Sequence, residues 1–132
     1  MSFLAILVAG AAGYAFGAIW YMTLSKPWME ASGITCDEHG RPEGGGSPLP
    51  FILAAVAMVI VSGMMRHVFA LSDITTFSKG LVSGLGIGAF FISPWIMINN
   101  AYGMRPFKLT IIDSGYAIIG CGIMGTILTF FV

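Results

Sequence analysis

Apolar residues fall into four long blocks along the chain, separated by short polar breaks. Residues 1–25, 44–65, 80–104 and 114–132 contain no Asp, Glu, Lys or Arg and are dense in Leu, Ile, Val, Ala, Met and Phe. Each block falls within the roughly 17–25 residues that a helix needs to cross a bilayer. The pattern predicts an all-α fold, an integral membrane bundle of four transmembrane helices at about residues 2–24, 48–70, 80–102 and 110–131. A length of 132 residues fits one transmembrane domain spanning 1–132. The first block lacks the basic start of a secretory signal and is longer than a signal's apolar core, so it is expected to remain as a span.

The breaks differ in kind. Residues 26–50 hold four of the six acidic residues and end in a glycine run followed by two prolines, a composition that predicts a mobile, irregular connection. Trp28 and Met29 within it suit the headgroup region. The connections near 66–79 and 103–110 are too short for a domain. Lys26, Arg41, Arg105 and Lys108 lie on one side of the predicted membrane, against Arg66 and Lys79 on the other. The positive-inside bias then places the first and third connections in the cytoplasm and both termini outside.

Small residues mark the predicted packing faces. Gly10, Gly13 and Gly17 share a face of the first helix, and GYAFG is a GxxxG match. Gly80, Gly84 and Gly88 recur every fourth residue in the third helix. On a regular helix that line continues through Phe91, Trp95, Asn99 and Tyr102, with Pro94 as a bend. In the fourth helix Asp113, Tyr116, Ala117, Gly120, Cys121 and Gly125 fall together, with Ile112, Ile119 and Ile123 turned toward lipid. Such seams serve packing within one chain or between chains. GAIWYMTLSKPWM and GAFFISPWIM echo each other, through either a parallel duplication or chance.

Composition sharpens the membrane reading. The chain is 57% hydrophobic and 9% charged, where soluble domains carry roughly 25% charged residues. Lipid must therefore supply most of its surroundings. A net charge of zero excludes the basic footprint of a nucleic-acid binder. No P-loop, HExxH, CxxC pair or nucleophile elbow is present, so neither an enzyme nor a cofactor is expected. Cys36, Asp37, Glu38 and His39 are consecutive and present tetrahedral metal ligands poorly. Cys36 and Cys121 lie at different depths, and no disulfide between them is expected.

One polar cluster interrupts the apolar C-terminal half. Asn99, Asn100, Arg105, Lys108 and Asp113 gather at one membrane face with Trp20 and Tyr21, and Tyr116 follows one turn later. Asp113 needs a partner, because an ionisable group in a span costs about 2.5–3.5 kcal/mol on insertion scales. Arg105 or the Asn99 amide is the expected one. The first reading of the cluster is structural, with Asp113 near the headgroups in the first helical turn, where the dipole favours an acid. The second is a hydrated cavity in which Asp113 binds a cation or proton. Arg66, His67 and Asp73 form a smaller cluster at the opposite face.

GAIWYMTLSKPWMEASG, with Trp20, Tyr21, Lys26, Pro27 and Trp28, resembles the first-helix signature of a bacterial and fungal membrane-protein family known only as a domain of unknown function. Tyr102, Arg105, Pro106, Asp113, Gly115 and Tyr116 are similar to its second signature. The resemblance covers essentially the whole chain, although the 26–50 connection is longer than the pattern leads one to expect. It implies four helices in a bacterial cytoplasmic membrane and no established activity. Small multidrug transporters also have four helices, but they carry an acid in the first, where this chain has none. The role expected from the residues is non-enzymatic assembly through helix contacts, either with copies of itself or as an accessory subunit of a larger membrane complex. The alternative is a small oligomeric transporter or channel for a proton, cation or small solute that uses Asp113.

Overall fold

The computed structural model describes residues 2–34 and 48–131. Among the described residues six α-helices run in the order α1 (Ser2–Thr23), α2 (Ser25–Ser32), α3 (Leu49–Leu71), α4 (Phe77–Ile87), α5 (Ser93–Tyr102) and α6 (Phe107–Leu128). A π turn, Gly88–Ile92, joins α4 to α5, and a 3₁₀ turn, Thr129–Phe131, ends the last helix. Among the described residues there is no strand, and four segments are long and apolar enough to cross a membrane: Phe3–Thr23, Leu49–Leu71, Phe77–Tyr102 and Phe107–Phe131. The fold is thus an all-α membrane bundle of four spans.

Two span starts lie three residues ahead of the positions expected from hydropathy, for local reasons. Thr76 adopts an extended conformation and its hydroxyl accepts the Lys79 amide, which caps α4. Pro106, also extended, starts α6. Lys79 and Lys108 therefore sit in first turns rather than in loops. The beginning of the 26–50 connection departs from the irregular chain expected of it, because Ser25–Ser32 folds as α2. Met29 and Ala31 are its buried residues, while Gly33 ends it in the left-handed region at φ 76°. Residues 35–47, with Cys36 and the CDEH run, lie outside the described residues.

The spans do not form a square bundle. The fourth span is the hub: α6 packs against α1, α4, α5 and α2, and more lightly against α3. The second span leans mainly on the first, and the third leans on the fourth. Across the molecule the lateral order is second, first, fourth, third. The hub position explains why α6 is the most buried of the four spans. Ile112 belongs to that burial and lies 6% exposed under its neighbours, not on the lipid side as its spacing suggests. Ile119, at 40% exposed, does face outward.

Close approach between the third and fourth spans depends on glycine. A Cβ on Gly84 would run into the backbone carbonyl of Cys121, one on Gly88 into that of Ala117, and one on Gly80 into that of Gly125. The fit is reciprocal, since a Cβ on Gly125 would strike the carbonyl of Gly80. In lipid, where apolar burial between helices brings little, this backbone-to-backbone packing is the main attraction available. Gly10 lies against the Met58 backbone, Gly13 against the Met124 side chain, Gly17 and Gly120 against the Tyr116 ring. All eight of these seam glycines are buried within the chain.

Gly84→Ala is expected to destabilise the protein strongly, because backbone rather than a flexible side-chain tip occupies the space. Gly86→Ala, whose Cβ would meet nothing within 4 Å, should be neutral or stabilising by up to about 1 kcal/mol. Unfolding midpoints in detergent, followed by tryptophan fluorescence, test the contrast; equal midpoints for the two variants would refute the packing described.

Candidate functional site: a lateral groove closed by Asp113

The π turn decides which polar residues of the third span meet the fourth. The Ser93 amide bonds back five residues to the Gly88 carbonyl, the Ser93 hydroxyl donates to the same oxygen at 2.6 Å, and Pro94 follows with no amide proton to give. On a regular helix the twelve residues from Gly88 to Asn100 accumulate a drift of about 120°. The extra residue of a π turn takes up most of it. The buried line therefore runs Gly88, Ile92, Ile96, Asn100, and the line expected from a regular helix turns outward. Phe91, Trp95 and Tyr102 are exposed, and so is Asn99. Asn100, not Asn99, is the amide that faces α6.

Asn100 is 8% exposed and its Nδ2 donates to the Thr110 hydroxyl at 3.2 Å. The same side chain lies against the Asp113 carboxylate, with Arg105 within electrostatic reach. From the first span, Tyr21 donates its hydroxyl to Asp113 Oδ1 at 2.7 Å. Its neighbour Trp20 donates Nε1–H to the Ile112 carbonyl at 2.9 Å, with its ring against Gly115, where a Cβ would not fit. Tyr116 reaches the Gly13 carbonyl and the Met58 sulfur, both at 3.1 Å. Edge contacts from Tyr21 to Tyr116 at 5.5 Å and to Trp28 at 6.3 Å complete an aromatic collar around the carboxylate.

Depth matters for what this carboxylate can do. Because α6 begins at Phe107, Asp113 lies six residues in, about 9 Å along the axis. That is past the first turn, so the dipole argument for a purely interfacial acid does not apply to it. α2 packs against α6 at the same end, where Glu30 and Lys108 approach to 3.9 Å. Both side chains of that pair are well exposed, and such pairs contribute about 0–1 kcal/mol.

Asp113 and Tyr21 close one end of a lateral groove of about 370 Å³. Met58 and Val61 of the second span form one wall, and Ile92 and Ile96 of the third form the other. The floor is α6, from Tyr116 and Ala117 through Gly120 to Cys121 and Met124. The groove exists because the second and third spans flank the hub without packing on each other to any extent. Sequence reasoning picked out Tyr21, Asp113 and Tyr116 but not Thr110, Met58, Ile92 or Ile96. A threonine ten residues after a buried asparagine was the available signal for the first; the apolar walls carry none.

At the other membrane face the smaller cluster divides. Arg66 and Asp73 line a common pocket of about 270 Å³, while His67 is exposed and outside it. Among the described residues no group of three or more His, Cys, Asp or Glu is placed to hold a metal ion.

A polytopic membrane protein of four spans is the class these features define. The chain belongs to the family described as protein of unknown function (DUF1761), which it matches over residues 4–129. No curated protein and no solved structure matches it.

Two substitution pairs test the site. Asn100→Leu strands the Thr110 hydroxyl and removes an amide from Asp113, and is expected to destabilise by about 1–3 kcal/mol; Asn99→Leu should stay within about 0.5 kcal/mol. The reverse order in unfolding measurements would contradict the π-shifted register. Tyr21→Phe and Asp113→Asn, combined in a double-mutant cycle, should show a coupling of about 1–3 kcal/mol. Additive effects would mean that the Tyr21–Asp113 bond is not formed in the bilayer.

Proposed function

We propose that this chain is a non-enzymatic, multi-pass membrane protein whose working element is the lateral groove. The groove takes an amphiphile with a cationic head and an alkyl chain from the bilayer. The observation that carries this reading is the half-buried Asp113 carboxylate standing at the closed end of an otherwise apolar cleft. Its volume of about 370 Å³ falls in the range of small-molecule sites, about 300–1,000 Å³. The floor from Asp113 to Met124 is about 16 Å long, and beyond Tyr21 and Asp113 the lining is mostly apolar, which suits a hydrocarbon tail. A cation beside the carboxylate at low dielectric gains about 4 kcal/mol at 4 Å with an effective dielectric of 20.

Assembly with other chains, the role the residues favour when read alone, has less to draw on in the fold. The glycine seams are filled from within the chain, which leaves the outer faces of the second and third spans, the least buried of the four, as contact surface. If the first and third connections are cytoplasmic, as the balance of Lys and Arg suggests, the closed, acidic end of the groove lies at the cytoplasmic leaflet of a bacterial inner membrane. A small transporter is the natural setting for such a site.

The test uses protein in nanodiscs and two photoreactive probes of equal chain length, an alkylammonium and an alkyl sulfate. Cross-links of the ammonium probe should concentrate on Met58, Ile92 and Ile96, exceed those of the sulfate probe there, and fall about tenfold in Asp113→Asn, a loss of roughly 1.4 kcal/mol. Asp113→Glu should restore much of the labelling and Asn99→Leu should leave it intact. Equal labelling of all lipid-facing surfaces by both probes would overturn the proposal. Groove labelling indifferent to Asp113, together with a co-purifying membrane protein, would return assembly to first place.

A further inference from the structure

The opposite membrane face carries a second, chemically different site. Arg66 lies on α3 five residues before Leu71, the last residue of that helix, about 7.5 Å inside the span. A guanidinium at that depth reaches toward the headgroups along its own alkyl stem. Its Nε is buried and is the one buried side-chain nitrogen or oxygen among the described residues without a hydrogen-bond partner. A planar guanidinium has five donors in a fixed fork and binds phosphate oxygens well. Arg66 also lines a pocket at this end of the bundle, so its guanidinium is placed for an anionic acceptor there.

The pocket supplies more than a cation. Asp73 and Thr75 line it together with Arg66, and Phe69, Ile74 and Leu128 make its apolar side. Asp73 is held in place by the way α3 ends. The Ile74 amide bonds to the Phe69 carbonyl at 3.0 Å and the Ser72 amide to Val68 at 3.0 Å, with Asp73 between them at φ 57°, the left-handed position of a Schellman-type end. Arg66 and Asp73 face the same space without pairing, for the ion pair found among the described residues is Lys108–Glu30. A cation and an anion kept apart across about 270 Å³ match a ligand with its own charges in reverse order.

We infer that this pocket binds a zwitterionic phospholipid headgroup, its phosphate on Arg66 and its ammonium on Asp73. The phosphate oxygens accept from the terminal nitrogens of the guanidinium, and the Thr75 hydroxyl adds a neutral donor. The ammonium sits against the Asp73 carboxylate. Phe69, Ile74 and Leu128 meet the glycerol and the first methylenes. A lipid rather than a soluble phosphoester is the source, because the apolar side of the pocket is built from the ends of the second and fourth spans. The site is independent of the groove, which lies toward the other face.

Native mass spectrometry of the protein released from nanodiscs of equal phosphatidylethanolamine and phosphatidylglycerol tests the assignment. Wild-type protein should retain phosphatidylethanolamine preferentially. Arg66→Gln should lower retention of both lipids, by roughly tenfold for the loss of a charge-assisted hydrogen bond. Arg66→Lys should recover part of it. Asp73→Asn should abolish the preference while keeping phosphatidylglycerol bound, and His67→Gln, outside the pocket, should change neither. Arg66 has no Nε partner to lose, so its variants should keep wild-type unfolding midpoints. Equal retention of the two lipids by wild-type protein would overturn the inference, as would undiminished phosphatidylethanolamine retention in both Arg66→Gln and Asp73→Asn. Displacement of the lipid by soluble glycerophosphoethanolamine at the same concentration would overturn the lipid source.

Discussion

Contact between glycine and backbone carbonyl across the third and fourth spans is the constraint on which the rest of this molecule depends. In a bilayer, two apolar helices gain little by leaving lipid for each other, so attraction must come from close van der Waals approach. Gly80, Gly84 and Gly88 bring the third span so near α6 that carbonyls of Gly125, Cys121 and Ala117 occupy the places where side chains would begin. α6 becomes the hub because its own Gly120, Gly122 and Gly125 admit neighbours from several directions.

A hub with neighbours on two flanks leaves a gap between the outer helices, and this is the origin of the groove. The second span packs mainly on the first and only lightly on α6, and it makes no extensive contact with the third. Its Met58 and Val61 then face Ile92 and Ile96 across α6. The polar end of the gap is finished by groups from three spans: Tyr21 from the first and Asn100 from the third donate, and Asp113 on the fourth accepts. A carboxylate in a span is tolerated only with such company. The glycines and the polar cluster are coupled, since the same close approach that packs Gly88 on Ala117 carries Asn100 toward Thr110 and Asp113.

The two polar clusters differ in how complete they are. At Asp113 the protein provides its own hydrogen bonds and an aromatic collar, and what remains open is an apolar cleft. At Arg66 a donor is left over, and the opposing Asp73 does not close on it. The first arrangement suits occupancy by an alkyl chain with a cationic head; the second suits a charge-paired headgroup. Each follows from where the side chains lie relative to the ends of the spans.

Hydropathy alone determined the class, because crossing a bilayer demands long uncharged runs and nothing else in this composition competes with that demand. The glycine spacing likewise showed which faces approach closely, since a four-residue repeat keeps one side of a helix free of bulk. Tertiary structure decided the rest. The choice of Asn100 over Asn99 depends on a π turn whose extra residue rotates everything after Gly88, and no residue before Pro94 announces it. The burial of Ile112 depends on the hub position of α6, and the folding of residues 25–32 on α2 packing against it. The groove is a space between helices that do not touch, set by lateral order. A sequence records which faces are sticky, while the order in which four such faces find each other is settled only by competition among them in the folded chain.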